Sequence, residues 1–219
     1  MSEQLYLFDR AIEAEVQGSV VGLDEAGRGP LAGPVVAAAV RLDLTHVLPK
    51  LNDSKKLSPA VREMLYQRIN AEASAAWAVG VASVEEIERL NILQASLLAM
   101  QRALDGLQAG WALALVDGNQ FLPSLERARQ RTLVHGDGRS ASIAAASVMA
   151  KVTRDRMMLA FHAQHPGWGF DCHKGYGTPL HLERIRQIGL SPLHRRSFCQ
   201  GFGAQTCLEL QHTEDIHDA

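Results

Sequence analysis

The chain has few cysteines, no long apolar run and little net charge, and each shortage excludes something. Its three cysteines, Cys172, Cys199 and Cys207, are an odd number without C-x-x-C spacing, so neither a disulfide framework nor a zinc ribbon is expected and all three read as reduced thiols. No apolar stretch approaches the roughly 18 residues needed to cross a bilayer, and Met1-Ser2-Glu3-Gln4 lacks the basic start of a secretion signal. The expectation is a soluble, cytoplasmic protein that makes no use of a membrane. There is no internal repeat. The formal charge is only −2, with 22 basic and 24 acidic residues, which does not announce a nucleic-acid partner. Four of the acids, Glu209, Glu214, Asp215 and Asp218, lie in residues 207–219, where there is no Lys or Arg. The rest of the chain therefore holds 22 basic against 20 acidic groups.

What is present is a packable core, 47% hydrophobic over 219 residues, enough for one substantial domain. Apolar runs of strand length occur at 20–23, 35–42, 77–81 and 111–116, and 132–135 supplies a fifth. Helical periodicity covers 59–74, opened by Ser58 as N-cap and Pro59 at the first helical position, and 84–107. This order predicts an α/β layer with a mixed sheet, the first hairpin antiparallel and the later strands reached by helical crossovers. From about residue 140 the chain changes character, with helices at 140–162 and 179–188 around a glycine-rich loop at 167–177. The reading divides the chain into an N-terminal segment, 1–17, a catalytic domain with a helical C-terminal part, 18–206, and an acidic tail, 207–219. Both ends are expected to be loosely ordered.

The chemistry concentrates at strand ends. Asp24 and Glu25 terminate the run Val20-Val21-Gly22-Leu23, and adjacent carboxylates there are costly to bury unless a cation or a proton uses them. Asp117 ends Leu113-Ala114-Leu115-Val116 in the same way, and Asp137 lies in His135-Gly136-Asp137-Gly138 just past the fifth strand. Ligands gathered at the mouth of a sheet mark the usual site of an α/β fold. An oxygen-only set of Asp24, Glu25, Asp117 and Asp137 suits Mg²⁺ or Mn²⁺ rather than zinc. Neighbouring strand residues point to opposite faces, so Glu25 should need a bulge, the strand end or its own carbonyl to join Asp24.

Around these acids lie candidate phosphate ligands. Gly27-Arg28-Gly29 joins a backbone without bulk to a permanent, planar cation. The overlapping Gly27-x-Gly29-x-x-Ala32 imitates a dinucleotide fingerprint, but Pro34 would break the helix that motif requires. Lys55 and Lys56, within Asp53-Ser54-Lys55-Lys56-Leu57, read by themselves as a solvated turn, with phosphate contact as the functional alternative. Tyr176, held between Gly175 and Gly177 beside His173 and Lys174, is suited to stacking on a sugar or base while its basic neighbours hold phosphate. Lys151 and Asp155, four apart on one helix with Arg154 adjacent, read as a structural ion-pair network.

Taken together, Gly22-Leu23-Asp24-Glu25-Ala26-Gly27-Arg28-Gly29-Pro30-Leu31-Ala32-Gly33-Pro34-Val35, Asp53-Ser54-Lys55-Lys56-Leu57, Val116-Asp117-Gly118-Asn119, Gly136-Asp137, Ser142-Ile143-Ala144-Ala145-Ala146-Ser147 and Lys174-Gly175-Tyr176-Gly177-Thr178 resemble the type 2 ribonucleases H, the bacterial ribonuclease HII branch closely, over about residues 18–203. The resemblance implies a ribonuclease H-like mixed five-stranded sheet flanked by helices, with a C-terminal helical extension. It implies an endonuclease that hydrolyses the RNA strand of RNA–DNA hybrids and cuts 5′ of single ribonucleotides embedded in duplex DNA, leaving a 3′-hydroxyl and a 5′-phosphate. By the same resemblance Asp24, Glu25, Asp117 and Asp137 are metal-binding catalytic acids for two ions roughly 4 Å apart. Gly27, Arg28 and Gly29 would sense the ribose 2′-hydroxyl and its phosphates, and Tyr176 would pack on the deoxyribose just 3′ of it. The chain departs from the family's pattern at His135, where lysine is expected, which would make that position's contribution pH-dependent. Gln4-Leu5-Tyr6-Leu7-Phe8 is similar to the pentapeptide by which replication proteins dock on the sliding clamp; the alternative is a segment folded onto the domain. The active unit is expected to be a monomer. Two other readings stay open at this level: another carboxylate-metal nuclease of the same fold, and a hybrid-binding module without chemistry.

Overall fold

The computed structural model describes residues 2–201. Its centre is β1 (Val20–Ala26), whose apolar residues are buried on both sides and which is flanked by β2 (Val35–Arg41) and β4 (Leu113–Asp117). With β3 (Ala76–Ala82) and β5 (Gln130–Leu133) the sheet runs β3-β2-β1-β4-β5. β1 pairs antiparallel with β2 and parallel with β4, β2 pairs antiparallel with β3, and β4 pairs parallel with β5. This is the mixed sheet with an antiparallel first hairpin that the order of apolar runs predicts. The acidic tail, 207–219, lies outside the described residues.

Helices cover both faces. On one side α4 (Ile92–Asp105) packs Ala95, Ala99, Met100 and Ala103 against Val21, Leu23, Ala37, Ala39 and Val116. On the other, the first ten residues of α5 (Ala141–Gln164) are all buried, and its small side chains let the helix lie close to the sheet. The closest approach is at Gly22: a Cβ there would run into the backbone of Ser142 and Ile143. Ser140 caps α5 by accepting from the Ile143 amide at 3.2 Å, and the buried carboxylate of Asp9 takes the Ser142 amide at 2.8 Å.

Two expectations are corrected. The helical stretch 84–107 is two helices, α3 (Val84–Leu90) and α4, divided at Asn91. Asn91 adopts a positive φ of 69° and its side chain accepts from the Leu93 and Gln94 amides, so one residue ends the first helix and caps the second. The N-terminal segment is ordered as α1 (Ser2–Val16). Leu5 and Tyr6 are in the core, Phe8 packs on a neighbouring cluster, and the Tyr6 hydroxyl accepts from the Leu48 amide at 3.1 Å. Of the clamp-like pentapeptide, Leu7 is the apolar residue left exposed. The helix at 59–74 forms as α2 (Pro59–Ala71) with Ser58 as its cap. No helix among the described residues is long and apolar enough to cross a membrane.

The C-terminal part adds α6 (Phe170–His173) and α7 (Pro179–Ile188) around three buried histidines. His173 and His181 stack with ring centres 4.0 Å apart, and His181 Nε2 lies 3.1 Å from His194 Nε2. The partners fix every tautomer. His181 Nδ1 donates to the Tyr176 carbonyl, so its Nε2 accepts from His194; His194 Nδ1 in turn accepts from the Ser191 amide. His173 Nε2 donates to the Trp168 carbonyl and its Nδ1 accepts from the Gly175 amide. Burial, and then the neighbouring rings, press the pKa of His181 and of His194 down to about 4.

Gly22→Ala is expected to cost about 1–3 kcal/mol or more, because backbone rather than a movable side chain blocks the added methyl; thermal denaturation with the tail intact measures it, and an unchanged midpoint contradicts the packing. The histidine cluster predicts a loss of stability in acid. Below pH ~6.5 the unfolded chain gains protons that the folded cluster refuses until about pH 4. Ring resonances of His181 and His194 followed by NMR should stay in the neutral form at pH 5, and ordinary titration near neutrality would refute the arrangement.

Candidate metal and nucleic-acid site

The acids are brought together by strand register. Leu23 of β1 pairs with Val116 of β4 in the parallel ladder, so Asp24 and Asp117 emerge side by side at the same end of the sheet. Asp117 Oδ1 accepts from the Gly136 amide at 2.7 Å, which ties the tight turn carrying Asp137 to the end of β4. β5 stops at Leu133, before His135, which adopts a left-handed conformation and makes no side-chain cap to that turn.

Glu25 reaches this place without a bulge. β1 keeps an unbroken register with β2 from Gly22 to Ala26, so strand alternation holds and the expected distortion is absent. Val21 and Leu23 share the α4 face, and Glu25 follows them, lining a recess with Leu93, Ser96 and Leu97 as well as the main cleft. Because β4 no longer flanks β1 beyond Leu23, the Glu25 side chain comes to the cleft over the open strand end, from the face opposite Asp24.

The cleft has a volume of about 320 Å³ and is lined by Asp24, Glu25, Gly27, Arg28, Gly29, Lys55, Asp117 and Tyr176 from the sequence-derived set. Asp137 is not among the residues lining the cleft but acts on Asp24 electrostatically. Lys56 pairs with Asp53 at 3.6 Å and Lys174 donates to the Asp171 carbonyl, so neither ammonium faces the cleft here. Ser54, Arg62, Ser147 and Lys151 also line it, and the sequence reading assigned none of them to the site. Ser147 closes the Ser142–Ser147 motif and its hydroxyl accepts from the Ser54 amide at 3.3 Å, which joins α5 to the Lys55 loop. The Lys151–Asp155 pair is present at 2.6 Å, and Lys151 Nζ also lies 5.6 Å from the centre of the Tyr176 ring. Tyr176 is 40% exposed at the rim.

Electrostatics make Asp24, Glu25 and Asp137 unwilling anions. Burial, then Glu25 and Asp117, hold the Asp24 carboxyl well above the usual carboxylate range. Glu25 is also raised by burial, against the pull of Arg28, whose Nη1 is 3.2 Å from Glu25 Oε1. Asp137 is raised by burial and by Asp53, with which it shares a hydrogen bond. Lys55 is held above its usual value by Asp137 and Asp24 although burial opposes it. Clustered carboxyl oxygens that repel one another and lack a full set of counterions suit a hard divalent cation. Among the described residues, no three carboxylate, histidine or cysteine side chains are already gathered as a ligand cage. Asp24 Oδ1 is occupied by the Glu25 amide at 2.7 Å, Asp117 Oδ1 by Gly136, and Glu25 by Arg28. The donor set, oxygen only, fits a hard divalent ion chemically.

The Gly27 turn is shaped to lie beside these acids. Gly27 has φ of 103°, and a Cβ on it would collide with Arg154 and the Pro34 carbonyl, whereas Gly29 faces open space.

Comparison with known proteins shows the family and the fold. The sequence model for Ribonuclease HII matches residues 21–201. Ribonuclease HII of Dechloromonas aromatica (strain RCB) is 57% identical over 181 residues, 83% of this chain and 91% of that protein. Ribonuclease HII of Delftia acidovorans is 56% identical over 181 residues, 83% of this chain and 76% of that protein. Among solved structures, ribonuclease H2 from Pyrococcus horikoshii OT3 superposes with a TM-score of 0.65 at 24% identity, covering 91% of this chain and all of that one. RNase HII from Archaeoglobus fulgidus, solved as a PCNA:RNase HII complex, gives 0.64 at 25% identity over 81% of this chain and 93% of that one. Bst-RNase HIII in complex with Mn²⁺ gives 0.63 at 20% identity over 90% and 70%. By sequence and by fold, the chain belongs to the ribonuclease HII family, the metal-dependent endonucleases classed as ribonucleases H.

Proposed function

We propose that the protein hydrolyses the RNA strand of RNA–DNA hybrids and cuts on the 5′ side of single ribonucleotides embedded in duplex DNA, leaving a 3′-hydroxyl and a 5′-phosphate. The observation that carries this reading is the meeting of Asp24, Glu25 and Asp117 with Gly27, Arg28, Gly29 and Tyr176 around one cleft. Asp24, Glu25, Asp117 and Asp137 would hold Mg²⁺ or Mn²⁺, with the Mn²⁺ bound by Bst-RNase HIII as supporting precedent. When bound, such ions supply activation of the attacking water and stabilisation of the leaving oxygen. The chain's own residues select and orient. The Gly27–Gly29 backbone admits a ribose edge closely enough to test for a 2′-hydroxyl, and Arg28, exposed at the rim, meets a neighbouring phosphate. Tyr176 offers its ring to the sugar just 3′ of the ribonucleotide. Lys55 holds the backbone near the acids, with Lys56 and Lys174 available to phosphate after leaving Asp53 and the Asp171 carbonyl.

The working unit of this reading is a monomer, acting where cytoplasmic DNA is replicated and repaired. The PCNA complex of the archaeal relative supports a clamp partner. In this fold, engagement through residues 4–8 would require α1 to release Leu5, Tyr6 and Phe8 from their packing.

Duplex DNA carrying one ribonucleotide, assayed with Mg²⁺ or Mn²⁺, tests the specificity. Cleavage should occur at the ribonucleotide alone, and equal cutting of an all-DNA duplex would sink the reading. Asp117→Asn should lower the cleavage rate by more than about 100-fold, since loss of a ligand should exceed the effect of losing a ligand's supporting partner; undiminished activity would remove Asp117 from the metal site. For the clamp, Leu7→Ala should weaken affinity measured by surface plasmon resonance while leaving the melting temperature unchanged, and unchanged affinity would dispose of the contact.

A further inference from the structure

Two buried arginines lie beneath the turn that joins β1 to β2, and neither has a carboxylate partner among the described residues. Arg195 is fully buried. Its Nε donates to the Gly33 carbonyl at 2.9 Å, its Nη1 to Arg28 and Pro30 at 3.0 and 2.9 Å, and its Nη2 to Gly27, Gly33 and Pro34 at 2.6, 2.7 and 3.3 Å. Its own amide donates to the Leu31 carbonyl at 2.8 Å. Arg195 leaves two carbonyls on that stretch, and Arg154 takes one of them, donating from Nη2 to Ala32 at 3.1 Å. Of the carbonyls from Gly27 to Pro34, Gly29 is therefore the only one not held by an arginine among the described residues, and the Gly27–Gly29 segment that these bonds hold lines the cleft.

We infer that Arg195 is the positioning residue of the Gly27-Arg28-Gly29 turn, fixing by its convergent hydrogen bonds the backbone that discriminates a ribonucleotide from a deoxynucleotide. Five N–H groups in one rigid plane can satisfy several carbonyls at once, more donors than any other side chain carries. The carbonyl dipoles compensate the buried charge without a carboxylate, so the cation orders the turn and leaves the nearby acids free for the cleft. A loop assembled from glycines and prolines has little side-chain packing to define it, and a shift of about 1 Å in a substrate-positioning element can cost on the order of 100-fold in rate. Arg195 touches no substrate in this arrangement; it acts through the turn. The segment after α7 thus helps set the conformation of a turn that lies more than 160 residues earlier in the chain.

The role given to Arg195 rests on the reading of the cleft as a ribonucleotide-recognising site, and the experiment separates the two. The full chain and Arg195→Lys, which keeps the charge but has three donors, are compared for equilibrium binding to a duplex with one ribonucleotide and to the same duplex in all-DNA form. Melting temperature and amide hydrogen exchange over residues 27–34 are measured alongside. The wild type should prefer the ribonucleotide duplex. Arg195→Lys should lose about ten-fold or more of that preference, keep all-DNA affinity within about two-fold because phosphate contacts dominate it, and exchange faster in 27–34 than in the sheet. A general loss of stability would weaken both duplexes alike and would not produce this split. A wild-type ratio near one overturns the reading of the cleft, and with it the role of Arg195. A strong wild-type preference retained by Arg195→Lys overturns the role alone. If Arg195→Lys does not fold, Arg195→Gly is tested with added methylguanidinium, and preference that does not return with the ligand counts against the role.

Discussion

Like charges crowded at one end of the sheet are the constraint on which the rest of the structure turns. Asp24, Glu25 and Asp117 share a cleft, Asp137 acts on Asp24 from outside its lining, and burial together with mutual repulsion raises the Asp24 and Glu25 carboxyls. Without a compensating cation such a set costs stability, because desolvation and Coulomb repulsion act in the same direction. The surroundings do not cancel the charge. Arg28 pairs with Glu25 from an exposed position, Lys55 leans toward Asp137 and Asp24, and the two best-buried arginines are spent on carbonyls. The site keeps a deficit of positive charge where a dication and a phosphate backbone can supply and use it.

The fold maintains this crowding by rigid means. Parallel pairing of β1 with β4 puts Asp24 beside Asp117, and α5 seated on Gly22 fixes β1 against the helix that also carries Ser147 and Lys151. The recognition elements are held differently. The Gly27 turn and the Tyr176 loop have positive-φ residues, and hydrogen bonds to their backbone help define them. The Leu31 amide donates to the Gly175 carbonyl at 2.8 Å, Arg154 bridges Pro34 and Lys174, and His181 holds the Tyr176 carbonyl. The two loops are thereby one connected unit, supported by side chains from α5, α7 and the segment after it. Neutral histidines suit that support, since a proton on His173 Nδ1 or His194 Nδ1 would face an amide N–H.

The sequence by itself determined much of this protein. Apolar runs ending in acids identified β1 and β4 and three of the four carboxylates, Ser58 with Pro59 marked α2, and the Gly-Arg-Gly and Gly-Tyr-Gly strings marked the turns that reach the cleft, because each depends on local periodicity or backbone freedom that a residue string carries. Tertiary structure decided what depends on residues far apart in the chain. It showed Glu25 arriving from the opposite face without a bulge, because only the place where β4 stops leaves the strand end open. It turned residues 4–8 into a packed helix, since burial of Tyr6 needs Leu48 opposite it. It divided the 84–107 stretch at Asn91, whose capping role competes with a periodicity that continues through it. Above all it placed Arg195, one of two adjacent arginines to which no role was assigned from the sequence, beneath a turn more than 160 residues earlier. Hydrogen bonds between such distant groups leave no periodic trace in the sequence, and only the closed fold brings donor and acceptors within reach.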